Sequence, residues 1–303
     1  MSRPALPAVP LVSRSFVSLS ELDDEVFFGI RSHLLSSGAV LIRGLRDVSV
    51  DDLAEFARRF AGRQLFGYTG GASPRRSLGP TGTYISTDYP PALAIPLHNE
   101  LSYATAYPEL LFFFCIAPPD AGGETTLGDG RRVLAEIDPY LVDEFKRRGI
   151  AYIRNLASDA GSGCSWQDAF GTEDRWAVER ICAGGRIEFK WLKDGSLRLE
   201  QQGPATTTHP LTGEEVWFNQ AAGFYAGPAG DTSGRPRLAC GFGDDGSPIP
   251  EAAIDHIRSV LRDNESPHRW EANDLVIVDN ILAMHGRRPF GDLSERSIVL
   301  AMT

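Results

Sequence analysis

Two residues near the end of the first third of the chain, His98 and Glu100 in Ile95-Pro-Leu-His-Asn-Glu-Leu-Ser-Tyr103, have the types and spacing of metal ligands. Side chains two apart on a strand project from the same face, so both can address one ion. Two imidazoles and one carboxylate with open positions form the facial set that suits non-haem Fe(II) in oxygen-activating enzymes. The second imidazole must come from elsewhere, and only six histidines are available: His33, His98, His209, His256, His268 and His285. His33 and His256 sit in helix-like stretches, His209 in a turn-like Thr-His-Pro-Leu-Thr-Gly segment, and His268 follows Pro267. His285 is the best partner, because it ends an apolar run beginning at Leu275 and precedes Gly286, which allows close backbone approach. Spacing alone does not single out a metal site, since a lone strand histidine is more often a packed or surface residue.

The elements that must position these residues read as helices first and mostly strands later. Ser20 to Ser36 has helical apolar spacing after Ser18-Leu-Ser-Glu21, which matches a capping box. Val40 to Ile42 reads as a short strand, Val50 to Phe60 as a helix after Ser49, and Ser73 to Pro91 as a long loop of the kind that covers a site. Leu110-Leu-Phe-Phe-Phe-Cys-Ile116 is continuous enough for a strand buried on both faces. Asp129 to Arg148 and Pro250 to Arg262 read as helices; strands are expected at Gly185 to Trp191, Leu197 to Gln201, Val216 to Asn219, Asp274 to Val278 and Arg296 to Met302. This distribution suits a mainly β fold with flanking helices and a double-stranded β-helix, or jelly-roll, core.

Five segments, in this order and spacing, resemble the taurine-dioxygenase family of Fe(II)/2-oxoglutarate-dependent oxygenases, within the clavaminate-synthase-like group. They are Gly38 to Leu45, His98-Asn-Glu100, Gly122-Gly-Glu-Thr125, Val216-Trp-Phe-Asn-Gln220, and Asn280 to Arg287 followed by Arg296. The resemblance implies that His98, Glu100 and His285 ligate Fe(II), and that Thr125 and Arg296 hold 2-oxoglutarate while O2 is the second cosubstrate. Chemistry supports the arginine, whose rigid fork of donors matches a carboxylate. Thr126 is the alternative to Thr125, because Gly122 to Thr126 also reads as an ordinary hairpin turn. Where the taurine enzyme carries a second, substrate-binding arginine on its terminal strand, this chain has Leu300, so that anchoring scheme does not carry over. Related halogenases replace the ligand carboxylate by a small residue, and Glu100 argues against that chemistry.

The expected activity is therefore hydroxylation of an amino acid or amino-acid-derived metabolite, free or bound to a carrier protein, in natural-product assembly. Desaturation, ring closure and epimerisation use the same cofactors, and a non-catalytic ligand-binding jelly-roll protein is the rival of another class. Arg75, Arg76, Asn219 and Arg287 are the candidate substrate contacts. A formal net charge of -10 disfavours nucleic acid and anionic membranes as partners, which need a basic footprint. Cys115, Cys164, Cys182 and Cys240 lack metal-type spacing and read as free thiols. No apolar stretch is long enough for a membrane span, and the proline-broken N-terminus is a poor signal peptide, so a cytoplasmic location is expected. The 303 residues contain no linker or repeat and read as one oxygenase domain, with 1–13 as a flexible extension.

Overall fold

The computed structural model describes residues 9–11, 18–73, 75–86, 89–159, 165–225, 236–291 and 295–303. In chain order the elements are β1 (Val9–Leu11), α1 (Asp24–Ser37), β2 (Ala39–Ile42), α2 (Val50–Ala61), β3 (Thr83–Ile85), β4 (Ile95–His98), β5 (Leu110–Ala117) and β6 (Thr125–Asp129). There follow α3 (Gly130–Glu136), α4 (Pro139–Arg148), β7 (Ile150–Leu156), α5 (Trp166–Phe170), α6 (Arg175–Gly184), β8 (Glu188–Trp191), β9 (Leu197–Gly203) and β10 (Thr206–Thr208). The remainder is β11 (Glu215–Trp217), α7 (Ala221–Phe224), β12 (Leu238–Phe242), α8 (Glu251–Asp263), β13 (Ser266–His268), β14 (Leu275–Asp279), β15 (Ala283–Arg287) and β16 (Ser297–Met302). The protein is mainly β with flanking helices.

Two sheets matter for the site. The larger runs β1-β2-β14-β5-β16-β3 and the smaller β13-β6-β15-β4. Alternation along β5 explains why its apolar run is unbroken: Phe112 and Phe114 pack toward Phe27, Phe56 and Phe60 of α1 and α2, whereas Leu111, Phe113 and Cys115 share an inner core with Leu127 of β6 and Ala283 of β15. A strand covered on both faces has no polar face to alternate with. Leu300 belongs to that inner core, fully buried and in register with Phe113 on one side and Tyr84 on the other.

Helix ends follow local chemistry, with some departures from expectation. The Ser49 hydroxyl accepts from the Asp52 N–H while the Asp52 carboxylate accepts from the Ser49 N–H, a reciprocal cap worth about 1 kcal/mol. No such box forms at Ser18. Leu19–Glu21 is a 3-10 turn, and α1 starts at Asp24 with Asp23 as its cap, bonded to the Val26 N–H at 3.0 Å. The single helix expected over 129–148 is two, because Asp138 caps the second through the Tyr140 N–H just ahead of Pro139, and proline belongs in a first turn. Within 1–13, read as a flexible extension, Val9–Leu11 pairs in parallel with β2. Likewise β3 interrupts the stretch read as one loop over 73–91, of which 74, 87 and 88 lie outside the described residues. Cys115, Cys182 and Cys240 are free thiols; Cys164 lies outside the described residues. No helix among the described residues is long and apolar enough to cross a membrane.

Candidate active site

β4 and β15 are antiparallel neighbours with His285 in register opposite His98. That pairing brings the two rings to 4.3 Å between centroids. One donor atom from each of His98, Glu100 and His285 lies within 4.8 Å of the others, the only group of its kind among the described residues. Glu100 does not share a strand with His98, as the spacing suggested. β4 ends at His98, and Glu100 occupies the turn that follows, ahead of Leu101 with φ 55°. What aims it is Asn280, whose Oδ1 accepts from the Glu100 N–H at 2.7 Å and whose Nδ2 donates to the Glu100 carbonyl at 3.0 Å. Asn99 returns the contact by donating to the Asn280 carbonyl at 2.6 Å.

His98 and Glu100 are in the state a cation needs. His98 Nδ1 lies 2.9 Å from the Pro96 carbonyl, and donation there leaves Nε2 as the lone-pair nitrogen. Burial, then the neighbouring His285, pushes the His98 imidazole down to about 4, so it is neutral at pH 7. Burial alone would raise the Glu100 carboxyl, but Arg75 and the two histidines hold it at about 2. His285 Nδ1 is buried without a partner, and its Nε2 lies 3.6 Å from Glu100 Oε2. Gly286 is required by close approach, since a Cβ there would fall 2.5 Å from the Ile95 carbonyl oxygen. The imidazoles of His98 and His285 and an ionised carboxylate, converging with an orphaned ring atom, fit a divalent iron.

These residues line a cavity of about 280 Å³ that also contains Thr125, Arg296, Arg75, Asn219 and Arg287. Arg296, just before β16, donates its Nε to the Gly123 carbonyl at 2.9 Å. Gly123 takes φ 67°, and a Cβ there would sit 3.0 Å from Arg296 Cδ, so the glycine makes room for the guanidinium. Burial, then Arg287, lowers the Arg296 guanidinium to about 10, the signature of a cation that would gain from an anion. Thr125 faces the cavity, its Oγ1 accepting from Trp270 at 3.2 Å, which leaves its own hydroxyl proton free to donate. Thr126 points to the other face of β6, against Gly286.

The substrate candidates divide. Arg75 reaches the cavity, its side chain only 9% exposed, bonded to Glu100 and to the Ser86 carbonyl. Arg76 is exposed and does not line it. Arg287 lines the cavity as well; its terminal nitrogens donate to the loop carbonyls of Tyr89, Pro90 and Leu93 at 2.6–3.0 Å, and its buried Nε has no partner. Asn219 lines the cavity, yet its amide is bonded to Ala205 and Ala221 of its own neighbourhood. Tyr68, Tyr103 and Arg237 line the cavity and were missed, because nothing local in their sequence marks them. His209 sits at the turn its segment suggested and is buried, 3.0 Å from Asp279, which in turn caps the Asn280 turn through the Ile281 and Leu282 N–H groups.

Known proteins resemble this chain over most of its length. The family described as taurine catabolism dioxygenase TauD, TfdA family matches residues 3–303. The dapdiamide synthesis protein DdaC of Enterobacter agglomerans is 34% identical over 315 residues, covering 99% of this chain and 93% of that protein. A clavaminate synthase-like protein of Arabidopsis thaliana is 31% identical over 267 residues, covering 86% and 80%. In fold, the chain is similar to asparagine oxygenase solved with Fe(II), 2S,3S-3-hydroxyasparagine and succinate, with TM-score 0.57 and 12% identity over 93% of this chain and 79% of that one.

Proposed function

Because the chain belongs to the taurine catabolism dioxygenase TauD, TfdA family and is an Fe(II)/2-oxoglutarate-dependent dioxygenase, we propose that it hydroxylates an amino acid or amino-acid-derived small molecule. The observation that carries this reading is the convergence, in one cavity, of His98, Glu100 and His285 with the carboxylate-seeking pair Arg296 and Thr125. In this reading the facing sheets are the halves of a double-stranded β-helix, and the chain is one oxygenase domain.

His98, Glu100 and His285 would hold the iron. The metal supplies oxygen activation coupled to conversion of 2-oxoglutarate to succinate and carbon dioxide. Arg296 and the Thr125 hydroxyl would fix the cosubstrate's distal carboxylate, and Arg287 orders the covering loop by tying down three of its carbonyls. Phe113, 5.2 Å from the His285 ring, walls the centre with apolar surface, which limits solvent and unproductive oxidation. The relatives named for dapdiamide synthesis and for asparagine oxygenation support a substrate of the amino-acid class.

The test is succinate release from protein supplied with Fe(II), 2-oxoglutarate and a panel of amino acids and their acylated derivatives. A product heavier by one oxygen is expected. A product lighter by two hydrogens would replace hydroxylation with desaturation or ring closure, and no iron-dependent succinate with any compound would remove the enzymatic reading.

A further inference from the structure

We propose, resting on the oxygenase reading above, that the substrate enters as a free carboxylic acid whose carboxylate is held between Arg75 and Arg237, and not as an ester or thioester on a carrier. Four arginines line the cavity, and Glu100 is the single carboxylate among its described lining residues. Arg296 is matched by the cosubstrate, and both terminal nitrogens of Arg287 are taken by three loop carbonyls, leaving only its buried Nε without a partner. A divalent cation held by Glu100 would compete with Arg75 for the charge of that carboxylate. Arg75 and Arg237 would then be left with one backbone carbonyl each, Ser86 and Ala72.

Arg237 and the tyrosine beneath Arg75 meet the same short stretch of backbone. Arg237 donates to the Ala72 carbonyl at 2.5 Å. Tyr68, whose ring lies 5.0 Å beneath the Arg75 guanidinium, donates to the Ser73 carbonyl at 2.7 Å. Arg75 Nε is buried without a partner, and among the described residues Arg237 meets no carboxylate. Behind them Arg154, 1% exposed and 5.2 Å from the Tyr103 ring, is bonded to the neutral Gly70 carbonyl and to Gln201. Phe224 and Leu238 complete that end of the cavity with apolar surface. Cations in such a setting keep a desolvation cost unless an anion joins them, and a thioester carries no charge to offer. A carboxylate can accept from both.

The experiment uses N-acetyl amino acids, each supplied as the free acid, the methyl ester and the N-acetylcysteamine thioester. Substrate-dependent succinate release gives kcat/KM, and anaerobic titration of 2-oxoglutarate into the Fe(II) protein gives cosubstrate affinity. Wild type should prefer the acid over its own ester and thioester by about 100-fold. Arg75→Gln and Arg237→Gln should each narrow that ratio by about 10-fold or more, chiefly through KM, and Arg237→Lys should restore part of it. The ratio is independent of how much iron each variant retains, and the wild-type comparison needs no variant to fold. Thioesters turned over as well as acids, or a ratio unchanged in both glutamine variants, would overturn the proposal while leaving the oxygenase reading in place. Failure of the wild type to bind 2-oxoglutarate with iron is the distinct result that would sink that reading.

Discussion

Asn280 grips Glu100 by both backbone groups, accepting from its N–H at 2.7 Å and donating to its carbonyl at 3.0 Å, while a further bond at 2.7 Å reaches the Pro108 carbonyl. Glu100 lies in a turn rather than a strand, so no sheet ladder holds it, and this buried amide takes the ladder's place. Asn280→Ala should therefore destabilise the fold by about 2–4 kcal/mol, through unpaired buried groups, and weaken metal binding by roughly 10- to 100-fold. Asn280→Asp should recover less than half of that, since it cannot donate. Chemical denaturation and Co(II) titration read the two effects separately.

His98→Ala, Glu100→Ala and His285→Ala should each abolish Fe(II)-dependent succinate release with little change in secondary structure. Removing a ligand from an open site takes away metal affinity without opening a large core cavity. Metal content and circular dichroism on the same samples decide it. Normal iron loading of the Glu100 variant would exclude that residue from the ligand set.

For the cosubstrate, Arg296→Leu should raise the apparent KM for 2-oxoglutarate more than Thr125→Val does. A hydrogen bond to a charged group is worth roughly 1.5–3 kcal/mol and one from a neutral hydroxyl about 0.5–1.5. Gly123→Ala should behave as a mild Arg296 variant, because a methyl group 3.0 Å from Arg296 Cδ displaces the guanidinium. Titration of 2-oxoglutarate at fixed iron ranks the three; equal KM values for Arg296→Leu and wild type would move the role elsewhere.

Taurine should not be turned over, and Leu300→Arg should not create that activity. Leu300 is sealed between Phe113 and Tyr84, so an arginine there would be a buried cation without an anion. A loss of roughly 3 kcal/mol or more is expected. Thermal unfolding together with a sulfite assay gives the answer.

Acid stability should depend on Asp274. Burial by itself would raise this carboxyl, yet two 2.8 Å bonds from Arg43 and the nearby His268 hold it below its ordinary 3.8. A carboxyl depressed in the folded state adds stability above its unfolded value and loses it as pH falls through the folded one. Arg43→Met should thus shift acid unfolding to higher pH. At neutral pH the cost should be only about 1 kcal/mol, because Arg43 is 40% exposed and solvent screens the pair. Fluorescence-monitored unfolding between pH 2 and 6, range chosen about these carboxyl values, measures the shift.

What the sequence by itself determined was the set of residue types and the local periodicities. The unbroken apolar run of β5, the Ser49 cap and the His98-x-Glu100 pair all depend on near neighbours, and near neighbours are written in order along the chain. Tertiary structure decided which of several equivalent groups the cavity uses. Thr125 rather than Thr126 faces it because β6 pairs with β15 in one register. Arg287 is tied to loop carbonyls while Arg296 keeps free donors, although both are arginines near His285. Arg237 and Tyr103 join the cavity only because distant segments close around Ala72. A guanidinium or hydroxyl can serve many partners, and only long-range closure of the sheets and loops selects one.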